Sequence, residues 1–182
     1  MRVIRPAEYR VMPWKNGGGS TTELNVCPTG AVAFDWRGSI ATVEIDGPFS
    51  AFDGYERHIM VLSGGGMTLN IASHGKVALR PLEPFSFAGE TKVKGVLSDG
   101  PVKDFNLIVR REYGRGALSA KDFKTNEVIG SEEGVEFFYL LGGSCSFGTE
   151  KLQANDSFWL EKGEFIELAS PLKLVCSQII PW

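Results

Sequence analysis

The sequence predicts an all-β protein, and three observations support this fold class. Helical periodicity is almost absent, and short runs of β-branched and aromatic residues alternate with turn residues. The chain holds 22 Gly and 9 Pro among 182 residues, well above the share of about 12% that these two types usually take. Many short strands at close spacing favour an antiparallel barrel or sandwich.

The first part of the chain divides into strands because Val, Ile, Thr and Phe recur between clusters of Gly, Pro and Asp. Glycine in these spacers adopts positive φ, and proline presets φ for a turn. The spacers include Asp46-Gly47-Pro48, Asp53-Gly54, Gly64-Gly65-Gly66 and Ser98-Asp99-Gly100-Pro101. The predicted strands are 21–26, 35–45, 57–62, 66–71, 76–79, 85–88, 92–97 and 104–109.

The second part of the chain shows the same pattern, with Gly142-Gly143-Ser144 as its clearest turn. Its predicted strands are 116–122, 135–141, 144–148, 151–152, 157–160, 165–168 and 172–178. A weak internal repeat aligns 57–64 with 136–143, each a strand that ends in a glycine turn. Two such units predict a duplicated β-barrel.

The junction between the two units is placed near Arg110–Gly116, where Arg-Arg-Glu-Tyr-Gly-Arg-Gly interrupts the apolar pattern. We therefore expect one unit over 1–182, with halves at 1–110 and 117–182 and the larger N-terminal half holding the ligand pocket. The basic junction could be a nucleic-acid tail or a solvated connector. The acidic chain as a whole favours the connector.

Charge and composition narrow the function classes. With 19 Lys and Arg against 22 Asp and Glu the formal charge is −3, so neither nucleic acid nor an anionic membrane is an expected partner. The N-terminus lacks the apolar run of a signal peptide. Three cysteines without CxxC spacing disfavour a disulfide framework and a zinc knuckle. We expect a cytoplasmic protein, and its oligomeric state, including a homodimer, stays open.

Two sets of motifs carry a family resemblance. Gly75–Pro81 keeps the Gly-(x)5-Pro frame of a cupin, while Arg57 stands where a cupin places a metal-binding Glu, and no His-x-His precedes it. A closer similarity covers nearly the whole chain and identifies it as a member of the HutD/Ves family of bicupin-like bacterial proteins. Its blocks are Met12–Gly19, Phe34–Ala41, Asp46–Ser50, Gly54–Arg57, Val61–Gly64, Leu82–Phe87 and Asp104–Asn106.

The resemblance implies a bicupin (RmlC-like) fold, two β-barrel or jelly-roll halves in one chain. HutD is linked by gene context to bacterial histidine utilisation, with a suggested role in sensing or buffering an intermediate such as formylglutamate. Ves is linked to cold and stress responses. No established enzymatic activity follows from the resemblance.

The histidines and Arg57 define the expected chemistry. A cupin metal site needs two or three His with a carboxylate, and this chain has only His58 and His74. Because strand neighbours point to opposite faces, an inward Arg57 directs His58 away from the interior. We expect no metal and no cofactor. Arg57 would offer a bidentate fork to a carboxylate, or would form an internal ion pair with Asp104 or Glu44.

Alternation along two further strands adds candidate residues. Arg37 and Trp36 face opposite sides, and we expect Arg37 inside; Asp104 and Asn106 share one face, either inside the barrel or on a solvent-facing edge strand. The glycines at 17–19 would let Lys15 and Asn16 approach the barrel mouth beside Trp14. The predicted ligand-binding set is Trp14, Lys15, Asn16, Arg37, Arg57, Phe85, Asp104 and Asn106, with no catalytic residue assigned.

Three functions fit these residues. The first is metal-independent binding of a small anionic, formylglutamate-like metabolite, with a regulatory or buffering role. The second is a metal-independent isomerase or hydrolase that uses Asp104 or His58 as its acid–base group. The third is an interaction role through the aromatic loop of Phe49, Phe52 and Tyr55.

Overall fold

The structure is a computed structural model that describes residues 1–30, 33–72, 74–148 and 150–182. Apart from one 3₁₀ turn, Pro6–Glu8, its named elements are strands. They are β1 Arg2–Ile4, β2 Arg10–Pro13, β3 Gly19–Cys27, β4 Trp36–Val43, β5 Gly47–Pro48, β6 Tyr55–Gly64, β7 Met67–Ile71, β8 Gly75–Leu79, β9 Phe85–Ala88, β10 Val93–Leu97, β11 Val102–Arg110, β12 Gly114–Phe123, β13 Val128–Gly130, β14 Val135–Phe147, β15 Glu150–Gln153, β16 Ser157–Glu161, β17 Phe165–Glu167 and β18 Leu172–Pro181. No helix in these ranges is long and apolar enough to cross a membrane.

The strands form two sheet pairs, with antiparallel pairing between neighbouring strands. The N-terminal sheet pair joins a six-stranded sheet, β2-β3-β4-β11-β6-β9, to a four-stranded sheet, β5-β10-β7-β8. The C-terminal sheet pair joins β1-β16-β14-β18-β12, to which β15 adds through β14, to the two-stranded sheet β13-β17. The all-β prediction is confirmed. The first strand, β1, lies in the C-terminal sheet pair, because it pairs with β16.

Three apolar cores follow from the alternation of these strands. One lies between the two large sheets and includes Trp36, Phe105, Phe137 and Val175. The interior of the C-terminal sheet pair is filled by large apolar side chains such as Phe138 and Phe158. The interior of the N-terminal sheet pair is apolar only in part, through residues such as Ile59, Leu69 and Val93. The polar remainder of that interior is where the candidate site lies.

Four strands fall outside the predicted ones: β1, β2, β5 and β13. All four are edge strands or belong to the two-stranded sheet, where a short segment with one buried face is enough. One predicted turn is absent, because Gly142–Ser144 lies within β14. The pairing of β14 with β18 shifts register between Leu140 and Gly142. A β-bulge thus replaces the expected chain reversal.

Two of the three arginines of the basic junction, Arg110 and Arg111, are paired with acids. Arg110 forms an ion pair with Asp35, and Arg111 contacts Glu90 at 2.6 Å. The chain crosses here from β11, in the N-terminal sheet pair, to β12, in the C-terminal sheet pair. Because acidic partners neutralise these guanidinium groups, the turn has the character of a connector.

Candidate functional site

A cavity of about 510 Å³ opens into the polar end of the N-terminal sheet pair. It is lined by alternate residues of two central strands, Arg37, Ser39, Ala41 and Val43 of β4 and Asp104, Asn106 and Ile108 of β11. The next residues along each strand, such as Trp36 and Phe105, lie in the core between the large sheets. Strand alternation therefore separates a polar lumen from an apolar layer, and it places Arg37 and Trp36 on opposite faces as predicted.

Arg57 lies against the cavity wall with only 6% of its surface exposed. Its Nη1 donates to the backbone oxygen of Ser50 at 3.0 Å, and its Nη2 donates to Asn106 Oδ1 at 2.9 Å. Its Nε has no protein partner in the described part of the chain. The guanidinium is thus held in place while part of its donor capacity remains uncommitted.

Phenylalanine rings surround the Arg57 guanidinium. The rings of Phe49, Phe52 and Phe87 have their centroids 5.3, 5.4 and 5.1 Å from its central carbon. These distances suit cation–π attraction, which offsets part of the cost of burying the charge. Burial still lowers the pKa of Arg57, to about 10, while the nearby Asp104 acts in the opposite direction. The group therefore stays cationic at neutral pH.

Arg37 is a second cation on the same wall. Its guanidinium carbon lies 5.2 Å from the ring of Phe34 and 5.1 Å from that of Phe52. Burial lowers its pKa, and the charge of Glu23 opposes that shift. Phe52 therefore contacts both arginines, and two members of the aromatic loop, Phe49 and Phe52, line the cavity, whereas Tyr55 is not among the described lining residues.

Asp104 is the one acid among the described cavity-lining residues. It is 1% exposed, and its Oδ1 accepts a hydrogen bond from Asn106 Nδ2 at 2.5 Å. Its Oδ2 has no partner among the described residues. Burial raises the pKa of Asp104 to about 7, against the lowering effects of Asn106 and of the Arg57 charge.

The structure does not show the alternative considered for Arg57, an internal ion pair with Asp104 or Glu44. Asn106 lies between Arg57 and Asp104, bonded to both, and Glu44 is exposed. The solvent-facing alternative for Asp104 and Asn106 is also wrong, because β11 is a central strand between β4 and β6. A buried cation and a buried acid thus share one cavity without a direct contact.

The mouth of the cavity is formed by the hairpin between β2 and β3. Trp14 Nε1 donates to Thr21 Oγ1 at 2.9 Å, and Asn16 Oδ1 accepts the backbone N–H of Gly18 at 3.0 Å. Gly17 adopts φ 68°, which allows the tight reversal that places Lys15 and Asn16 at the cavity. The cavity therefore carries three bases, Lys15, Arg37 and Arg57, against one acid.

Phe85 differs from the expectation, because it is not among the described residues that line the cavity. It packs against the apolar core of the N-terminal sheet pair and stacks on Phe87 at 6.2 Å. The register gives the positions: Phe87 is paired with Arg57, whereas Phe85 is paired with Ile59, which belongs to the apolar core. Phe87 contacts Arg57 although it is not among the described lining residues, and sequence reasoning missed it because both residues face the same way and only the pairing distinguishes them.

Several residues that do line the cavity are also absent from the predicted set. Ser39 could have been found from the face it shares with Arg37. Phe49, Ser50 and Phe52 come from the loop before β6, where no periodic pattern indicates which side chains point inward. The seven predicted residues other than Phe85 do line the cavity; their role in ligand binding remains a prediction.

His58 lies on the opposite face of β6 from Arg57 and does not line the described cavity. Its Nδ1 and Ser86 Oγ are 2.7 Å apart, and a Cβ at Gly116 would stand 3.0 Å from its Nε2. His58 is thus packed between β6 and β12, and it cannot be the acid–base group of an enzyme that uses this cavity. No group of three His, Cys, Asp or Glu suited to a metal occurs in the described ranges.

Comparisons with known proteins agree with the motifs. The HutD family model matches residues 6–176. An uncharacterized protein encoded 3′ of hutC in Pseudomonas putida is 42% identical over 119 residues, 65% of this chain and 63% of that protein. The Protein Ves of Citrobacter koseri is 33% identical over 180 residues, 96% of this chain and 93% of that protein.

Solved structures are similar along the whole chain. The structure of HutD from Pseudomonas fluorescens SBW25 matches with TM-score 0.83 and 31% identity, over 100% of this chain and 98% of that chain. AerE from Microcystis aeruginosa matches with TM-score 0.69 and 12% identity, over 94% of this chain and 97% of that chain. An oxalate decarboxylase matches with TM-score 0.70 and 8% identity, over 99% of this chain and 77% of that chain. At such low identity these last two indicate a cupin-like fold alone.

Proposed function

Because the chain belongs to the HutD family, we propose that its cavity binds a small carboxylate-bearing metabolite without a metal. The observation that carries the proposal is Arg57, a cation held between phenylalanine rings at the cavity wall with no ion pair to any described carboxylate. A guanidinium in this state has no carboxylate in direct contact among the described residues, and a ligand carboxylate would supply one through charge-assisted hydrogen bonds. Arg37 and Lys15 add to the positive charge that such a ligand would meet.

The proposed role is regulatory or buffering, in histidine utilisation or a stress response. It rests on the family and on the Pseudomonas putida relative encoded beside hutC. A formylglutamate-like anion fits the proposal because it bears carboxylates for the arginines and an amide for Asn106 or Asp104. The HutD of Pseudomonas fluorescens was solved in a formate condition, which makes formate the simplest carboxylate to test. We place this role in the cytoplasm.

We also propose the bicupin arrangement, with one cupin unit over 1–110 and another over 117–182. Its support is that each sheet pair encloses its own apolar core. The strand β1 would then be contributed by the first unit to the sheet of the second. Only the N-terminal unit would then bind ligand, in its polar cavity, because the interior of the C-terminal unit is filled by apolar side chains.

The function is tested by a thermal-shift screen against formylglutamate, urocanate, glutamate, formate and simple sugars. Wild type is expected to be stabilised by at least one carboxylate, because ligand that binds only the folded state raises the melting temperature. Arg57→Met is expected to weaken that binding by about 30-fold, since a hydrogen bond to a charged group is worth about 2 kcal/mol. Dissociation constants from titration calorimetry measure the change.

Arg80→Met is the matched control, because Arg80 is an exposed arginine whose partner is Glu83, at 3.7 Å. It removes the same charge outside the described cavity lining, so the carboxylate should still raise the melting temperature as it does in wild type. Equal binding by wild type and Arg57→Met would contradict the proposal, as would a screen in which only uncharged sugars stabilise the protein.

A second candidate function is a metal-independent isomerase or hydrolase with Asp104 as its acid–base group. The observation that favours it is a buried carboxyl at a cavity wall whose pKa is raised to about 7, the range suited to general acid–base catalysis. Turnover of any compound in the screen that is abolished by Asp104→Asn would support it. Stoichiometric recovery of every stabilising compound unchanged would favour binding alone.

A further inference from the structure

We propose that anion binding in the cavity is coupled to the uptake of one proton by Asp104. The inference rests on the proposed function, because it concerns what happens to Asp104 when a carboxylate enters the same cavity. It goes beyond that function because it assigns Asp104 the role of the group that takes up a proton when the anion binds. The ligand then binds together with a proton, so the pH of the surrounding solution controls the fraction of the protein that holds the anion.

The surroundings of Asp104 make its negative charge costly. Its cross-strand neighbours are Ala41 on β4 and Val61 on β6, and neither can donate a hydrogen bond from its side chain. The single described side-chain donor to it is the Asn106 amide, on Oδ1, which leaves Oδ2 without a partner. A buried carboxylate with half of its acceptors unsatisfied is poorly stabilised.

The charged groups that face Asp104 explain why it ionises at all in the empty cavity. Arg57 on β6 and Arg37 on β4 line the same cavity, and Lys15 stands at the mouth. On β3, Glu23 acts on Arg37, and the opposite sheet contributes apolar side chains such as Leu69 and Val93. The hydrogen bond from Asn106 is the larger described support for the ionised form, and the Arg57 charge adds to it.

A bound carboxylate removes the part of that support that comes from Arg57. Its negative charge neutralises Arg57, and it adds a like charge to a cavity that already holds Asp104. Two carboxylates close together in a buried site do not both stay ionised, so one proton is taken from solvent and held by Asp104 or shared with the ligand. The protonated Oδ2 then donates to the anion, which gives this unpartnered atom a hydrogen bond. No bond is broken, and the proton comes from the buffer.

The pH dependence follows with a definite sign. Burial places the pKa of Asp104 at about 7 in the empty protein, so at pH 6 the proton is already in place and binding takes up almost none. At pH 8 the carboxyl is mostly ionised, and binding takes up nearly one proton. The affinity for a carboxylate is therefore flat at acidic pH and falls by up to tenfold for each pH unit above about 7.5.

The test is calorimetric titration of formate and of N-formylglutamate into wild type and Asp104→Asn at pH 6 and pH 8. At each pH two buffers of different ionisation enthalpy report the protons exchanged. Wild type is expected to take up about one proton at pH 8 and almost none at pH 6. Asp104→Asn keeps a hydrogen-bond donor in the same shape but cannot titrate, so its affinity should be the same at both pH values and its proton uptake zero.

The outcomes separate this inference from the proposed function. Binding by wild type without proton uptake at pH 8, or the same uptake by Asp104→Asn, would overturn the coupling and leave carboxylate binding intact. No binding of either probe at either pH would refute carboxylate binding, and the coupling with it. Carbon-13 NMR of the Asp104 carboxyl in the empty protein is an independent check: titration near pH 4 instead of near 7 overturns the inference.

Discussion

Replacement of Arg5 by alanine is expected to lower the free energy of unfolding by about 3 kcal/mol, because it leaves the buried charge of Asp156 without its partner; this is the low end for breaking a buried pair, since Arg5 itself is 36% exposed. Arg5 follows β1, and its Nη1 donates to Asp156 Oδ2 at 2.6 Å. Asp156 is fully buried, and its Oδ2 also accepts the backbone N–H of Gln153 at 2.9 Å. Arg5 thereby fastens the N-terminal segment to the turn between β15 and β16. Urea denaturation at pH 7.5 measures the loss.

Two comparisons isolate the buried charge as the cause. The double variant Arg5→Ala/Asp156→Asn carries no uncompensated charge, so it should recover most of the lost stability. Arg80→Ala breaks an exposed pair with Glu83 at 3.7 Å, and such pairs are worth at most about 1 kcal/mol. If Arg5→Ala cost no more than Arg80→Ala, the contact between Arg5 and Asp156 would not be holding the N-terminal segment.

The second large effect is acid destabilisation through His58. Burial lowers the pKa of His58 to about 4 in the folded protein, whereas an unfolded histidine has a pKa of about 6.5. Between these values the unfolded chain binds the proton and the folded chain does not, so His58 lowers stability as pH falls from 6.5 to 4. The difference between the folded and the unfolded pKa of His58 corresponds to a loss of about 3 kcal/mol in the free energy of unfolding at the acid end of that window.

Asp104 acts in the opposite direction over the same window. Its folded pKa of about 7 exceeds the ordinary aspartate value, so its contribution makes folding more favourable as pH falls from 7 towards 4. The two shifts partly cancel in wild type, and the effect of His58 must be measured as a difference. His58→Asn keeps a group that can bond Ser86 but cannot titrate there, so its stability should rise relative to wild type on going from pH 7 to pH 4.5.

The control for His58 is His74→Asn, a change of the same type at an exposed turn residue. A rise of equal size in both variants would show that the effect is not specific to His58. Parallel stability curves for wild type and His58→Asn across this range would show that His58 is not held neutral between β6 and β12. Urea titrations at half-unit pH intervals provide both curves.

The candidate site was predictable wherever it depends on strand alternation. Arg37 and Arg57 face the cavity, whereas Trp36 and His58 face away from it, because the period of a strand is two residues. Alternation failed for Phe85, since it gives the face but not the position along the partner strand. It also could not show that Asn106 separates Arg57 from Asp104, because that depends on where three strands meet.

By itself the sequence determined the all-β class, the family, most of the strands and the inward face of β4, β6 and β11. These properties depend on local periodicity and on turn residues, and both involve residues that are close together in the sequence. Tertiary structure alone decided the position of β1 against β16, the ring of Phe87 at Arg57 and the Asp104 oxygen that has no partner among the described residues. Register and burial arise from contacts between residues far apart in the chain, and they set both the charge balance of the cavity and the protonation of Asp104.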